Sequence, residues 1–254
     1  MTEFDTIHQQ LIDGVPLRAA RDIRDETVVY RHGDVDLEGY VAWDAAAAGP
    51  RPAVVVIHDW TGLREYPKAR AQMLARLGYV GVAIDVYGVG IRPTGNAASA
   101  EAGKYYGDLG LLRERVGAGF RMAAADPRVD TDRMAVIGYC FGGSAALEFA
   151  RTGATARGFV SFHGALLAHE PADVSGIAAP LLVLTGGADD VVPDEKVVAF
   201  ENELRTRPDL DWQVTTYAGA PHAFTLPGIP NYRPVADARS WRALEDFLAE
   251  IFAH

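Results

Sequence analysis

Cys140 is the only cysteine in this 254-residue chain. It sits in Gly138-Tyr139-Cys140-Phe141-Gly142, a G-x-C-x-G pentad at the end of the apolar run MAVIGYC and directly ahead of the helix-like segment SAALEFAR. A nucleophile at a sharp strand-to-helix turn must adopt a strained, positive-φ backbone. Side chains two residues before and after it would hold strand and helix apart, so both positions call for glycine. Such a turn lifts the sulfur above the sheet and points a helix N-terminus at it, which favours the thiolate. The alternative for a lone cysteine is a buried structural thiol, but the flanking glycines and the strand-end position favour the nucleophile.

Two further strand ends carry groups that would complete nucleophilic chemistry. In LLVLTGGADDVVP, Asp189 and Asp190 follow a buried run through two glycines and precede Pro193, so one carboxylate can be held rigidly at the sheet's rim. Asp190 or Asp194 can cap the helix that follows, which leaves Asp189 as the functional acid. In VTTYAGAPHAFTLPG, His222 lies in a loop just past the last strand-like segment. An imidazole oriented by a carboxylate can take a thiol proton as general base. The order nucleophile, acid, base along the chain is the one used by triads built on the strand ends of parallel α/β sheets.

The elements that must position these groups alternate. TVVY and VDLEGYVAW, separated by His32-Gly33-Asp34, read as a β-hairpin. AVVVIHD, YVGVAIDVYG, MAVIGYC, ARGFVSFHG and PLLVLTGG are short β-branched or apolar runs of the kind buried on both faces of a parallel sheet, and DWQVTTYAG reads as the last strand. Helical spacing is seen in PKARAQMLARL, which ends at Gly78, in SAALEFAR, in DEKVVAFENELR after Pro193, and in VADARSWRALEDFLAEIF. Residues 98–125 read as a helical stretch broken by glycines, one helix or two. This alternation predicts an α/β fold with a mostly parallel central sheet and helices on both faces. No linker divides the chain, so we expect a single domain over 1–254, with a polar surface arm at 1–25 and the core at 26–254.

Composition narrows the function classes. One cysteine excludes an internal disulfide framework and a Cys-rich zinc site, and suits a reducing, cytoplasmic setting. The net charge of −10 and the absence of basic runs argue against nucleic acid. No apolar run is long enough for a membrane span, so no membrane partner is expected. His58, His163 and His222 lack paired ligand spacing, so no metal is expected. GVGIRPTG lacks the Lys-Ser/Thr of a phosphate loop, so no nucleotide cofactor is expected either.

With these residues in place, the chain resembles the dienelactone hydrolase (carboxymethylenebutenolidase-like) family of α/β-hydrolases. The matching segments are GYCFGG around Cys140, TGGADDVVP around Asp189 and AGAPHAF around His222, and the likeness runs from about Val28 to the C-terminus. The resemblance implies an α/β-hydrolase fold and hydrolysis of small-molecule esters or lactones through a Cys140–His222–Asp189 triad and an acyl-thioester. It also implies that the N–H groups of Trp60 and Phe141 form the oxyanion hole. Asp59, in VIHDWTGL, stands where the family carries a glutamate that contacts the resting thiol, one methylene longer.

The resemblance implies two substrate-binding arginines as well. Leu226 stands at one of these positions, and no arginine lies between Arg92 and Arg113 for the other. Arg92 or Lys104 is then the nearest cation, and Arg92, Tyr105, His163 and Leu226 are the expected pocket residues. Trp60, Tyr87, Tyr105 and Tyr106 are pocket walls or core. Two other activities fit the same residues: a thioesterase or acyltransferase using the triad, and a hydrolase fold that binds ligands or senses oxidants through Cys140.

Overall fold

The computed structural model describes residues 2–17 and 20–253. Among the described residues, eight strands and seven helices alternate, as the α/β reading requires. The chain divides into two compact units at Ala135/Val136.

The first unit contains α1 (Thr6–Asp13), β1 (Ile23–His32), β2 (Val35–Asp44), β3 (Arg51–Ile57), α2 (Glu65–Leu77), β4 (Val80–Ile84), α3 (Gly95–Tyr106), α4 (Leu109–Ala124) and the start of β5 (Val129–Tyr139). Its strands lie in the order β1-β2-β4-β3. The hairpin β1/β2 is antiparallel from Ile23↔Asp44 to His32↔Val35 and turns at Gly33-Asp34, with Gly33 at φ 58°. β2 pairs antiparallel with β4, and β4 runs parallel to β3. All five residues of β4 are buried, which explains its unbroken apolar run. β1 is an edge strand and, apart from a break at Glu26-Thr27, alternates half-buried and exposed residues instead.

The N-terminal segment, read as a polar surface arm over 1–25, contains a helix and the start of β1. α1 is N-capped by Asp5, whose side chain accepts the His8 N–H at 2.8 Å. Arg76 on α2 donates to the Ile12 and Val15 carbonyls at 3.1 and 3.0 Å, and β1 already begins at Ile23. The glycine-broken stretch resolves into two helices, parted at Gly107-Asp108, where Asp108 caps α4 by accepting the Leu111 N–H at 2.9 Å.

The second unit contains the end of β5, α5 (Phe141–Ala150), β6 (Gly158–Phe162), β7 (Leu181–Gly186), α6 (Asp194–Leu204), β8 (Trp212–Tyr217) and α7 (Pro234–Ile251). Its strands run in the order β5-β6-β7-β8, and β6, β7 and β8 are parallel to one another. β6 and β7 are buried throughout, so the carboxyl ends of neighbouring strands share one rim. α5 is buried at every position, which locks the segment behind Cys140. Among the described residues, no helix is long and apolar enough to cross a membrane.

Candidate active site

Cys140 joins β5 to α5 with φ 54° and ψ −114°, outside the regions where most side chains are found. Backbone strain of this sort costs about 1–3 kcal/mol and persists only where the surroundings enforce it. They do so here. The Cys140 N–H donates to Phe162 O at 2.9 Å, and its carbonyl accepts from the N–H groups of Gly143 and Ser144. The glycine ahead of the turn is sterically required, because a Cβ on Gly138 would lie 1.9 Å from Gly142 O. Phe141 follows as the first residue of α5, so the positive end of that helix lies beside the sulfur.

The acid arrives from β7. Asp189 Oδ1 accepts the N–H groups of Val191 and Val192, both at 2.9 Å, which leaves Oδ2 to meet His222 Nδ1 at 2.9 Å. The base loop is fastened directly to the acid loop. Gly187 N–H donates to Tyr217 O, and Ala188 N–H to Ala220 O. A Cβ on Gly186 would fall 2.3 Å from Ala220 O, so the first glycine of TGG permits this close approach. On the far side, Asn231 Nδ2 donates to the His222 carbonyl at 2.9 Å.

His222 Nε2 lies 3.1 Å from Cys140 Sγ. One imidazole therefore bridges the carboxylate and the thiol, with its side chain only 15% exposed. Burial pulls the imidazole's pKa down, but the bonds from Asp189 and Cys140 outweigh it and push the value up to about 10. Burial raises Asp189, whereas the His222 bond and two backbone N–H groups hold its carboxyl below the ordinary range. Both directions come from the same contact, a carboxylate that strengthens the imidazole's hold on a proton.

His163, at the end of β6, joins this cluster. It is 1% exposed, its ring packs edge-to-face on His222 with centroids 5.5 Å apart, and its Nε2 lies 2.7 Å from Thr225 Oγ1. Leu226 follows in the same loop and donates its N–H to Ala223 O. Thr225 and Asn231 carried no signal in the sequence, since neither belongs to a motif.

Asp59, Trp60, Arg92 and Tyr105 belong to the first unit. Asp59 Oδ1 accepts both the N–H and the hydroxyl of Thr61, at 2.7 and 2.6 Å, and so ties its own loop. His58 Nδ1 donates to the Asp59 carbonyl at 2.6 Å while its Nε2 accepts the Val86 N–H at 3.0 Å, which uses both ring nitrogens. Trp60 is partly exposed and its carbonyl accepts the Tyr87 hydroxyl at 3.1 Å. Arg92 donates to the carbonyls of Leu63, Gly88 and Ile91 and lies beside Glu38 and Asp85. Its guanidinium is a staple for these loops. Tyr105 is 4% exposed; its hydroxyl donates to Val86 O, and its ring stacks on Tyr87.

The model of the dienelactone hydrolase family matches residues 37–252. A Bradyrhizobium protein named "Probable 2-oxo-3-(5-oxofuran-2-ylidene)propanoate lactonase" is 31% identical over 204 residues, covering 76% of this chain and 81% of its own. The crystal structure of a dienelactone hydrolase-like promiscuous phosphotriesterase from metagenomic libraries superposes with a TM-score of 0.86 at 38% identity, covering 90% of this chain and 98% of the other. Acylaminoacyl peptidase of Pyrococcus horikoshii, at 15% identity and TM-score 0.70, covers 94% of this chain and 45% of its own, and is alike in fold alone. Fold and strand-end site define an α/β-hydrolase. The chain belongs to the dienelactone hydrolase family and is a hydrolase of esters or lactones.

Proposed function

We propose that the protein hydrolyses small, uncharged carboxylic esters or lactones through a covalent thioester on Cys140. The single observation that carries this reading is the relay Cys140 Sγ–His222 Nε2 at 3.1 Å and His222 Nδ1–Asp189 Oδ2 at 2.9 Å.

The steps follow from that geometry. His222 takes the thiol proton on Nε2, and its raised pKa retains it. Sγ attacks the carbonyl carbon and the C=O electron pair moves onto oxygen. The Phe141 N–H, first in α5, is the donor we assign to that oxyanion. Such a donor lowers the barrier by about 3 kcal/mol. The carbonyl re-forms as the C–O bond to the alcohol breaks, and the departing oxygen takes the proton from Nε2. Water then attacks the thioester, giving a proton to His222, and the thiolate leaves as the acid is released. Asp189 stays ionised throughout and fixes the tautomer that places the base lone pair on sulfur's side. We assign Asp59 to anchoring the loop that carries Trp60, since Thr61 occupies its Oδ1.

Substrate charge is argued from the cations. Leu226 is apolar, and the Arg92 guanidinium is already engaged by three carbonyls, so neither supplies the bidentate contact a substrate carboxylate needs. A panel of neutral lactones and aryl esters beside carboxylate-bearing analogues tests this, with Cys140→Ala as control. Neutral substrates turned over by the wild type and not by Cys140→Ala support the reading; wild-type rates in Cys140→Ala contradict it. The 38% identity to a promiscuous phosphotriesterase favours a second reading, attack of the same thiolate on a neutral phosphotriester, and adds an aryl phosphotriester to the panel.

A further inference from the structure

Among the described non-glycine residues, positive φ occurs at Cys140 (54°), His163 (41°) and Ala223 (60°). Cys140 is the elbow and Ala223 directly follows the base, so both belong to the machinery above. His163 makes none of the triad's hydrogen bonds, yet it carries the same strain. Its backbone N–H donates to Leu184 O at 2.8 Å, a contact any residue supplies, and glycine would adopt this backbone without strain. The side chain must therefore account for the histidine.

That side chain is surrounded by the base loop. Its Nε2 lies 2.7 Å from Oγ1 of Thr225, which is itself fully buried. The ring meets His222 at 69° and 5.5 Å, and Phe224 at 76° and 5.3 Å. The loop thus rests at His222, Phe224 and Thr225 on a single ring whose orientation a hydrogen bond fixes. Resting on the reading of His222 as general base, we propose that His163 is a positioning residue: pinned through Nε2 to Thr225, its ring holds the His222 imidazole at the angle where Nε2 meets Cys140 and Nδ1 meets Asp189. An edge-to-face contact suits this task. It gives the base a wall to pack on, while the Nε2 of His163 is turned to Thr225 and does not compete with Asp189 or Cys140 for the base's two nitrogens.

The test uses three conservative variants of the full chain. His163→Phe keeps a ring and loses the hydrogen bond, Thr225→Val loses it from the other side, and His163→Gln retains a polar atom near the Nε2 position. Two readouts are taken: kcat and KM on an activated aryl ester, and the rate of Cys140 alkylation by iodoacetamide as a function of pH. His163→Phe and Thr225→Val should each lower kcat about tenfold with KM changed by no more than about twofold, because misalignment of a reacting pair costs rate more than binding. Both should shift the alkylation profile towards that of an ordinary thiol. His163→Gln, which offers Thr225 a polar atom but no ring, should stay impaired in both readouts, and the His163→Phe/Thr225→Val pair should be no worse than either single change, since one contact is removed twice. Folded His163→Phe and Thr225→Val proteins with wild-type kcat and an unmoved alkylation profile would overturn the proposal. So would a fall in Tm alone, which is what a packing role predicts. Cys140→Ala is assayed in parallel: if it turns over the ester, the reading of the site fails, whereas an inert Cys140→Ala beside unaffected His163 variants overturns only the positioning role.

Discussion

His222 Nε2 stands 3.1 Å from Cys140 Sγ although 82 residues separate them in sequence. The two are brought together by different strand ends, β5 for the sulfur and β8 for the imidazole, with β6 and β7 between them. The elbow pushes the sulfur up from its strand, and the base loop bends back over the acid loop through the Ala188–Ala220 and Gly187–Tyr217 hydrogen bonds. A triad that spans several strand ends is therefore as rigid as its loop-to-loop bonds.

Asp189→Asn isolates the carboxylate's share. Asparagine keeps the shape but, with its oxygen accepting the Val191 and Val192 N–H groups, turns an NH2 donor towards His222 Nδ1, which removes the bond that raises His222. We expect kcat/KM on an aryl ester to fall by about 10³- to 10⁴-fold, as for wrong-tautomer triads, with KM little changed. Steady-state kinetics at neutral pH measures it. A loss of less than about tenfold would mean that the imidazole does not depend on this carboxylate.

The pH dependence of stability follows from the raised imidazole. His222 moves from its ordinary 6.5 to about 10 in the folded chain, so the folded state holds this proton more tightly than the unfolded one. The stability this contributes is present in full below pH 6.5 and is lost as pH rises towards about 10. Thermal melts across that window should show the wild type losing its advantage over His222→Gln as pH increases. Parallel curves for the two proteins would remove the proposed proton from the folded state.

The buried ion cluster behind the site is predicted to act on stability rather than on chemistry. Arg151 binds Glu203 through two bonds, 2.7 and 3.0 Å, lies 3.3 Å from Glu148, and donates to the carbonyls of Asp173 and Leu167. Glu203 in turn accepts the N–H groups of His169 and Asp173, which fastens the β6–β7 connection to α5 and α6. Removing Glu203 takes two charge-assisted bonds from Arg151, leaving it Glu148, and strips the His169 and Asp173 N–H groups of their acceptor, at a cost of about 3–5 kcal/mol. Glu203→Ala should therefore lose about that much in a urea titration while keeping kcat within a few-fold at low temperature. A change under about 1 kcal/mol would show that the cluster is well solvated.

Much of the candidate site was legible because its demands fall on residue types that stand out in a sequence. Gly138 and Gly142 bracket Cys140 since any Cβ at the first would strike the second's carbonyl, and a lone cysteine so bracketed is conspicuous. The central strands were legible because burial on both faces leaves an unbroken apolar run, as in β4, β6 and β7. α1 was not: it is eight residues long and is held by carbonyl contacts from Arg76, more than sixty residues away, which its own spacing cannot announce. Arg92 illustrates the same limit. A sequence records that a cation exists but not that the carbonyls of Leu63, Gly88 and Ile91 have already engaged it. Thr225 and Asn231 were silent for the converse reason, since ordinary residue types become informative only once the loop brings them to His163 and His222.

The central claim is that the Cys140 sulfur carries the acyl group during turnover. Acid quenching of the enzyme during turnover of an activated ester, followed by mass spectrometry of the intact chain and of its peptides, reads this directly. The account predicts one acyl increment per chain, located on the peptide containing Cys140, released by hydroxylamine and absent from Cys140→Ala. An acyl group found on another residue, or full turnover by Cys140→Ala with no adduct anywhere, would contradict it.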